Sequence, residues 1–198
     1  MGVRSGLAKY RATDLFIWAL LLCIFETLIV KAGTTLFVSQ PYTVSLVPAL
    51  VTIVYMRWGG FGAIHAFLGG IILCLASGYG LEVKQCTVYA VGNLFSALVL
   101  PILRRREKKI RDSVALSAIF ASVVALLMQV GRAVVSLVLG DVISGAISFV
   151  ATDVLSGVFA IILVLIARRM DGVFERQVSY LIRVQEAEKE ARREGEGY

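Results

Sequence analysis

Long runs without charge constrain this chain more than any other feature. Six apolar segments can be marked, from about Leu15 to Val30, Tyr42 to Met56, Phe61 to about Gly80, Val88 to Leu103, Val114 to Leu139 and Val142 to Ala167. A helix needs about 20 mainly apolar residues to cross a hydrocarbon core of about 30 Å. In lipid, backbone amides find partners only within helices or closed barrels. Each segment is too long or too uniformly apolar for a strand, so each reads as a helix. The expected fold is an all-α integral membrane protein, with six transmembrane helices in one bundle. The second segment is short, holds Pro48, and reaches full length by borrowing from Leu36-Phe37-Val38 or by tilting little. Composition agrees. Charged residues make up 17% of the chain and mean hydropathy is +0.82, whereas a soluble domain is about 25% charged.

The charges that remain are clustered, and they orient the bundle. Arg4, Lys9 and Arg11 precede the first segment, and Arg57 lies between the second and third. The stretch RRREKKIR, residues 104–111, joins the fourth to the fifth, and Arg168, Arg169, Arg176 and Arg183 follow the sixth. The alternate connections hold only Lys31 and Lys84. Basic residues collect on the cytoplasmic side, so both termini are expected there. The outer connections are then residues 31–41, 79–87 and 140–141. The net charge of +6 is thereby accounted for by topology, and no nucleic-acid partner is expected. The basic connection itself either sets topology and touches anionic lipid or meets a protein partner. The first segment shows no convincing cleavage site, so a removable signal peptide is not expected.

Residues 1–170 thus read as a membrane domain and 171–198 as a charged cytoplasmic tail. In the tail, Phe174, Val178, Leu181 and Ile182 follow helical spacing. This is either an amphipathic helix that docks on a partner or the membrane surface, or a solvated extension of the last span.

Two soluble-enzyme readings can be excluded. The stretch YMRWGGFGAIHAFLGG, residues 55–70, is rich in glycine. A phosphate-cradling P-loop needs a lysine, and none occurs between Lys31 and Lys84. A dinucleotide fingerprint needs a third glycine where His65 stands. Arg57-Trp58-Gly59-Gly60 reads instead as a turn at the membrane surface. Gly62, Ala66, Gly69 and Gly70 form a small-residue face suited to close helix approach. His65 reads as a packing or interface residue. The cysteines, Cys23, Cys74 and Cys86, match no metal spacing. No nucleophile–base pair or carboxylate cluster occurs at one depth, so neither enzymatic activity nor a metal or cofactor is expected.

Polar groups inside the spans carry the functional signal, because ionisable groups are costly in hydrocarbon and mark sites. At about 1.5 Å per residue, Glu26 lies roughly 20 Å above Thr13 and Arg132 roughly 27 Å above Val114. Asn93 lies roughly 10 Å below Cys86 by the same rise, with Tyr89 one turn above it. Gln129 precedes Arg132 by one turn. On the sixth segment Ser144, Ser148, Thr152 and Ser156 recur every four residues, and Asp153 adjoins that stripe. Four helices therefore bring polar groups to the outer half. Either these are ion pairs that hold helices together, Glu26 with Arg132 for instance, or they line a solute pocket open to the outside. The pocket is the favoured reading. Its expected lining is Glu26, Tyr89, Asn93, Gln129, Arg132, Ser148 and Asp153, a set suited to a carboxylate or an amide.

With its six spans, the segment VPALVTIVYMRWGGFGAIHAFLGGIILCLASG at residues 47–78, the preceding Gln40-Pro41-Tyr42 and the polar fifth and sixth spans, the chain resembles the substrate-binding S-component of an energy-coupling factor (ECF) transporter. The resemblance covers roughly residues 10–170. It implies binding of a vitamin, precursor or trace metal at the outer side, in a pocket built from the first outer loop and spans four to six. It implies a membrane-embedded T-component and two cytoplasmic ATPases as partners, with no ATP hydrolysis by this chain. It also implies contact with the T-component through small residues of the first three helices, here Ala8 and Ala12 in Ala8-Lys9-Tyr10-Arg11-Ala12, together with Arg57, Gly62 and Ala66. The His-rich amino terminus of metal-type members is absent, which points to an organic substrate. The alternative is a stand-alone small carrier or channel for a polar solute.

Overall fold

The computed structural model describes residues 2–36, 44–78 and 82–195, and every regular element in them is helical. The elements are α1 (Gly2–Leu36), α2 (Val47–Trp58), α3 (Gly62–Ala76), α4 (Val83–Asn93), α5 (Leu100–Asp112), α6 (Val114–Val138), α7 (Ile143–Ala151), α8 (Val154–Arg169) and α9 (Gln177–Gly195). Residues 37–43, which include Gln40-Pro41-Tyr42, and residues 79–81 lie outside the described residues, while residues 31–36, expected to open the first outer loop, continue α1.

Among the described residues, five stretches are long and apolar enough to cross a membrane: Gly6–Leu36, Val47–Ala76, Val83–Asp112, Val114–Val138 and Ile143–Arg169. The second is not a straight rod. α2 and α3 are joined by one 3₁₀ turn, Gly59–Phe61, and fold back on each other. A side chain placed at Gly69 would strike Val47, and one at Gly62 would strike Tyr55. Gly59, at φ +60°, ends α2 in the left-handed region, which glycine enters without a Cβ clash. The small-residue face read from the sequence therefore packs α3 onto α2 and α4.

The third stretch is continuous. α4 passes through a 3₁₀ stretch, Leu94–Val99, into α5. Pro101 has no N–H to return to Ala97, and the amide of Leu100 donates to the Ala97 carbonyl instead. The basic stretch 104–111, expected as a connection, is the last part of α5. Arginine, lysine and glutamate favour helix, and no glycine, proline or asparagine interrupts them. Only Ser113 separates α5 from α6. Its hydroxyl accepts the Leu116 amide at 3.3 Å, a side-chain N-cap.

The sixth apolar segment, expected as one helix, is two. α7 ends at Ala151 and α8 begins at Val154, with Thr152 and Asp153 between them.

Successive rods run in opposite directions. Asp14 and Glu26 on α1 meet Arg57 and Leu46 at the two ends of α2. Asn93 meets Ala66, Gly92 abuts Gly131, and Arg168 reaches the carbonyls of Arg111 and Asp112. α1 begins, and the chain returns after α8, at the same basic end. There the Tyr10 hydroxyl donates to Gln177 Oε1 at 2.9 Å. At the opposite end Lys84 pairs with Asp141 at 2.5 Å, and the Ser136 hydroxyl also donates to that carboxylate. The lysine first, and then the serine, hold the Asp141 carboxyl below the usual carboxylate range.

α2 occupies the centre, buried from Val47 to Arg57 except at Leu50. The outward surface is apolar. Phe16, Ile17, Ile24 and Leu28 of α1, Leu126 of α6 and Ile162 and Ile166 of α8 are each about half exposed or more. Meanwhile Glu26, Asn93, Arg132 and Asp153 are buried. A contiguous apolar surface of this extent does not face water in a soluble monomer. Covered by lipid, it incurs no hydration penalty.

Candidate functional site

The site is assembled where α4 and α6 touch backbone to backbone. A Cβ on Gly92 would lie 2.6 Å from both N and Cα of Arg132, and one on Gly131 would collide with the Gly92 carbonyl. Any larger residue at either position would hold the helices apart. Close approach sets Asn93 beside Arg132, whose Nε donates to Asn93 Oδ1 at 2.9 Å. Asn93 is fixed in turn, because its Nδ2 donates to the Ala66 carbonyl at 3.1 Å. The guanidinium carbon of Arg132 stands 5.1 Å from the centre of the Tyr89 ring, within cation–π range. Phe149 packs edge-on against that ring.

The break between α7 and α8 supplies the counter-charge. Arg132 Nη1 donates to Asp153 Oδ2 at 2.8 Å, with both side chains almost fully buried. Gln129 Nε2 donates to the Asp153 main-chain carbonyl at 3.0 Å, replacing a helical partner at the interruption. The other oxygen of Asp153 accepts from Ser156. Ser156 Oγ accepts the Ser45 amide at 2.8 Å. Beside it, Glu26 Oε2 accepts the Leu46 amide at 2.7 Å, so this carboxylate sits at the positive end of α2. One polar layer therefore crosses the bundle from α1 to α3.

Two buried atoms in this layer have no hydrogen-bond partner among the described residues: Arg132 Nη2 and Glu26 Oε1. One is a donor and the other an acceptor. A buried polar atom left unpaired costs about 1–3 kcal/mol, and more when charged. A ligand offering an acceptor to the first, or a donor to the second, would recover that cost.

The structure thus brings Glu26, Tyr89, Asn93, Gln129, Arg132 and Asp153 to one layer. Two details differ from the sequence reading. Arg132 pairs with Asp153, and Glu26 caps α2, because the free amide of Leu46 faces its carboxylate. Ser148 stands apart. It is exposed, its hydroxyl donates to the Gly145 carbonyl, and the helix break carries the four-residue stripe away from the layer, leaving only Ser156 inside. Ser45 and Ser156 take larger parts than their residue type announces.

Of the residues expected at a partner interface, Ala8 and Ala12 are exposed on α1. Arg57, Gly62 and Ala66 are buried inside the bundle. Arg57 is held by Asp14 at 2.6 Å and donates to the carbonyls of Gly172 and Val173. Asp14 also accepts from Trp58 Nε1 at 2.6 Å. Sequence reading passes over Asp14, although a carboxylate in the same surface layer as an interhelical arginine is the signal that finds it. His65 is buried, with its two ring nitrogens facing the carbonyls of Leu15 and Phe61.

Compared with protein-family models, curated proteins and solved structures, the chain matches none.

Proposed function

We propose that this chain is the substrate-binding S-component of an ECF-type importer in the cell membrane, crossing it six times with both termini cytoplasmic. It captures a small organic micronutrient, a vitamin or precursor, at the outer face. A T-component and two ATPases then drive its delivery inward, and this chain performs no covalent chemistry. The observation that carries the reading is Arg132, fully buried, fixed by Asn93 and Asp153, and left with one unpaired nitrogen. A charged group in the hydrocarbon region marks function by default, and this one keeps a donor free for an anionic or carbonyl-bearing solute. The two arms of the α2–α3 hairpin count as separate crossings, which gives six. The basic end then lies inside and the polar layer in the outer half.

Purified protein screened against vitamins and related compounds should bind one of them tightly at 1:1. Arg132→Ala and Asn93→Ala should each weaken that binding. Native affinity in both variants would remove the polar layer from the site.

A second reading, a stand-alone carrier, is favoured by the interrupted α7–α8 helix, since discontinuous helices recur at transporter binding sites. Solute uptake into liposomes containing this chain alone, without ATPases, would support it over the first.

A further inference from the structure

At the basic end, a cleft of about 580 Å³ opens among the end of α5, the end of α8 and the start of α9. Four arginines line it, Arg111, Arg168, Arg169 and Arg183, together with the carboxylates of Asp112, Asp171 and Glu175. Glu175 is buried and takes Arg111 and Arg183 at once. Arg183 also holds Asp171 at 2.7 Å. Arg168 directs its Nε and Nη2 to the carbonyls of Arg111 and Asp112. Those bonds aim its guanidinium into the joint while its Nη1 makes no bond to a described residue. Arg169 is exposed and has no hydrogen bond or ion pair among the described residues. Arg111 and Arg183 engage the three carboxylates, so the four arginines leave the cleft one net positive charge, presented by Arg168 and Arg169, which pair with no carboxylate among the described residues.

The same cleft has an apolar entrance. Ile162 and Ile166 on α8, and Met170 just past its end, follow one another at four-residue steps and are 49%, 53% and 56% exposed. Met170 is itself a wall of the cleft. An exposed apolar track on a membrane helix is where an acyl chain lies. This one runs into a pocket whose free cations are arginines, which bind phosphate through paired N–H donors.

From this we infer that the cleft holds the phosphate of an anionic phospholipid, with an acyl chain along Ile162, Ile166 and Met170. The lipid ties the start of the tail to the α5–α6 joint, since Arg111, Arg183 and Glu175 already connect those two elements. The proposal is independent of the solute-binding reading, because the polar layer lies at the other end of the bundle.

The full chain, purified in a neutral detergent and placed in nanodiscs, tests it. Phosphatidylglycerol should be retained over phosphatidylcholine in native mass spectrometry and should raise the unfolding midpoint. Arg169→Glu should lower the preference for phosphatidylglycerol roughly tenfold. This residue has no intramolecular bond to lose, so the variant should fold normally. Lys109→Glu, an exposed change on α5 outside the cleft, should leave the preference intact. Equal retention of the neutral lipid would overturn the proposal. So would an equal loss in Lys109→Glu, which would mark a diffuse attraction to the basic end. Inorganic phosphate that competes as well as the lipid would overturn the lipid assignment and leave a free-anion site.

Discussion

Arg132 on α6 and Asp153 between α7 and α8 form an ion pair at 2.8 Å, with side chains 2% and 3% exposed. Removing one partner of such a pair strands a buried charge and typically costs about 3–5 kcal/mol, whereas replacing both by apolar residues of similar size is often close to neutral. Asp153→Ala should therefore be strongly destabilised. The double variant Arg132→Met/Asp153→Leu should recover much of the loss in thermal unfolding. Binding separates the two roles of the pair. A solute site built on Arg132 does not return with stability, so the double variant should fold and fail to bind. If it binds as the native chain does, the pair is purely structural.

The contact of α4 with α6 makes a separate prediction about geometry. Alanine at Gly92 would place a carbon 2.6 Å from the backbone of Arg132, and backbone cannot swing aside as a side-chain end can. Overpacking of this kind costs about 1–3 kcal/mol, so Gly92→Ala should lower the unfolding midpoint and displace Arg132 from Asn93. At Gly157, within α8, an added methyl group would meet nothing within 4 Å. Gly157→Ala should be neutral or slightly stabilising, since alanine is the better helix former. Equal loss in both variants would mean that the α4–α6 approach is not the constraint.

How legible this architecture is depends on the scale of the signal. Runs such as Val114–Leu139 declare themselves by length, and buried charges such as Arg132 and Asp153 by their cost in lipid. Both follow from composition along the chain. The partner of each charge depends on the rotation of the helices, and a polar residue does not reveal that rotation. Glu26 illustrates this, since its depth suits a pairing with Arg132 but it meets the amide of Leu46 at 2.7 Å. The break at Thr152–Asp153 is hidden for a related reason. Neither residue is a glycine or proline, and the interruption is supported from outside the helix by Gln129 and Arg132. The continuation of α5 through residues 104–111 is masked by charge, which resembles a connection when read only for hydropathy.

At the basic end, Arg57 joins α1, α2 and the turn after α8. Its Nε and Nη2 hold Asp14, while Nη1 donates to the Gly172 carbonyl at 2.6 Å. Lysine offers a single ammonium and cannot span a carboxylate and a carbonyl on opposite sides. Arg57→Lys should cost about 1–3 kcal/mol, the range for leaving a buried polar group unpaired. Because the lost bonds include the one to Gly172, limited proteolysis should cut residues 170–176 earlier in the variant than in the native chain. Lower stability with unchanged cleavage there would mean that the turn is held by Phe174 and Gln177 alone.

Orientation is testable without any ligand. Basic residues crowd one end of the bundle, from Arg57 through Arg104–Arg111 to Arg168. The opposite end carries the short turn between α6 and α7, where Val142 is 71% exposed. Positively charged connections are retained on the cytoplasmic side during insertion, so the α6–α7 turn should face outward. In a background with Cys23, Cys74 and Cys86 replaced by serine or alanine, a membrane-impermeant maleimide should label Val142→Cys in intact cells. Lys109→Cys should be labelled only after permeabilisation. The reverse pattern would place the polar layer of Arg132 and Asp153 toward the cytoplasm, and an importer that captures its solute from outside could not use it in that position.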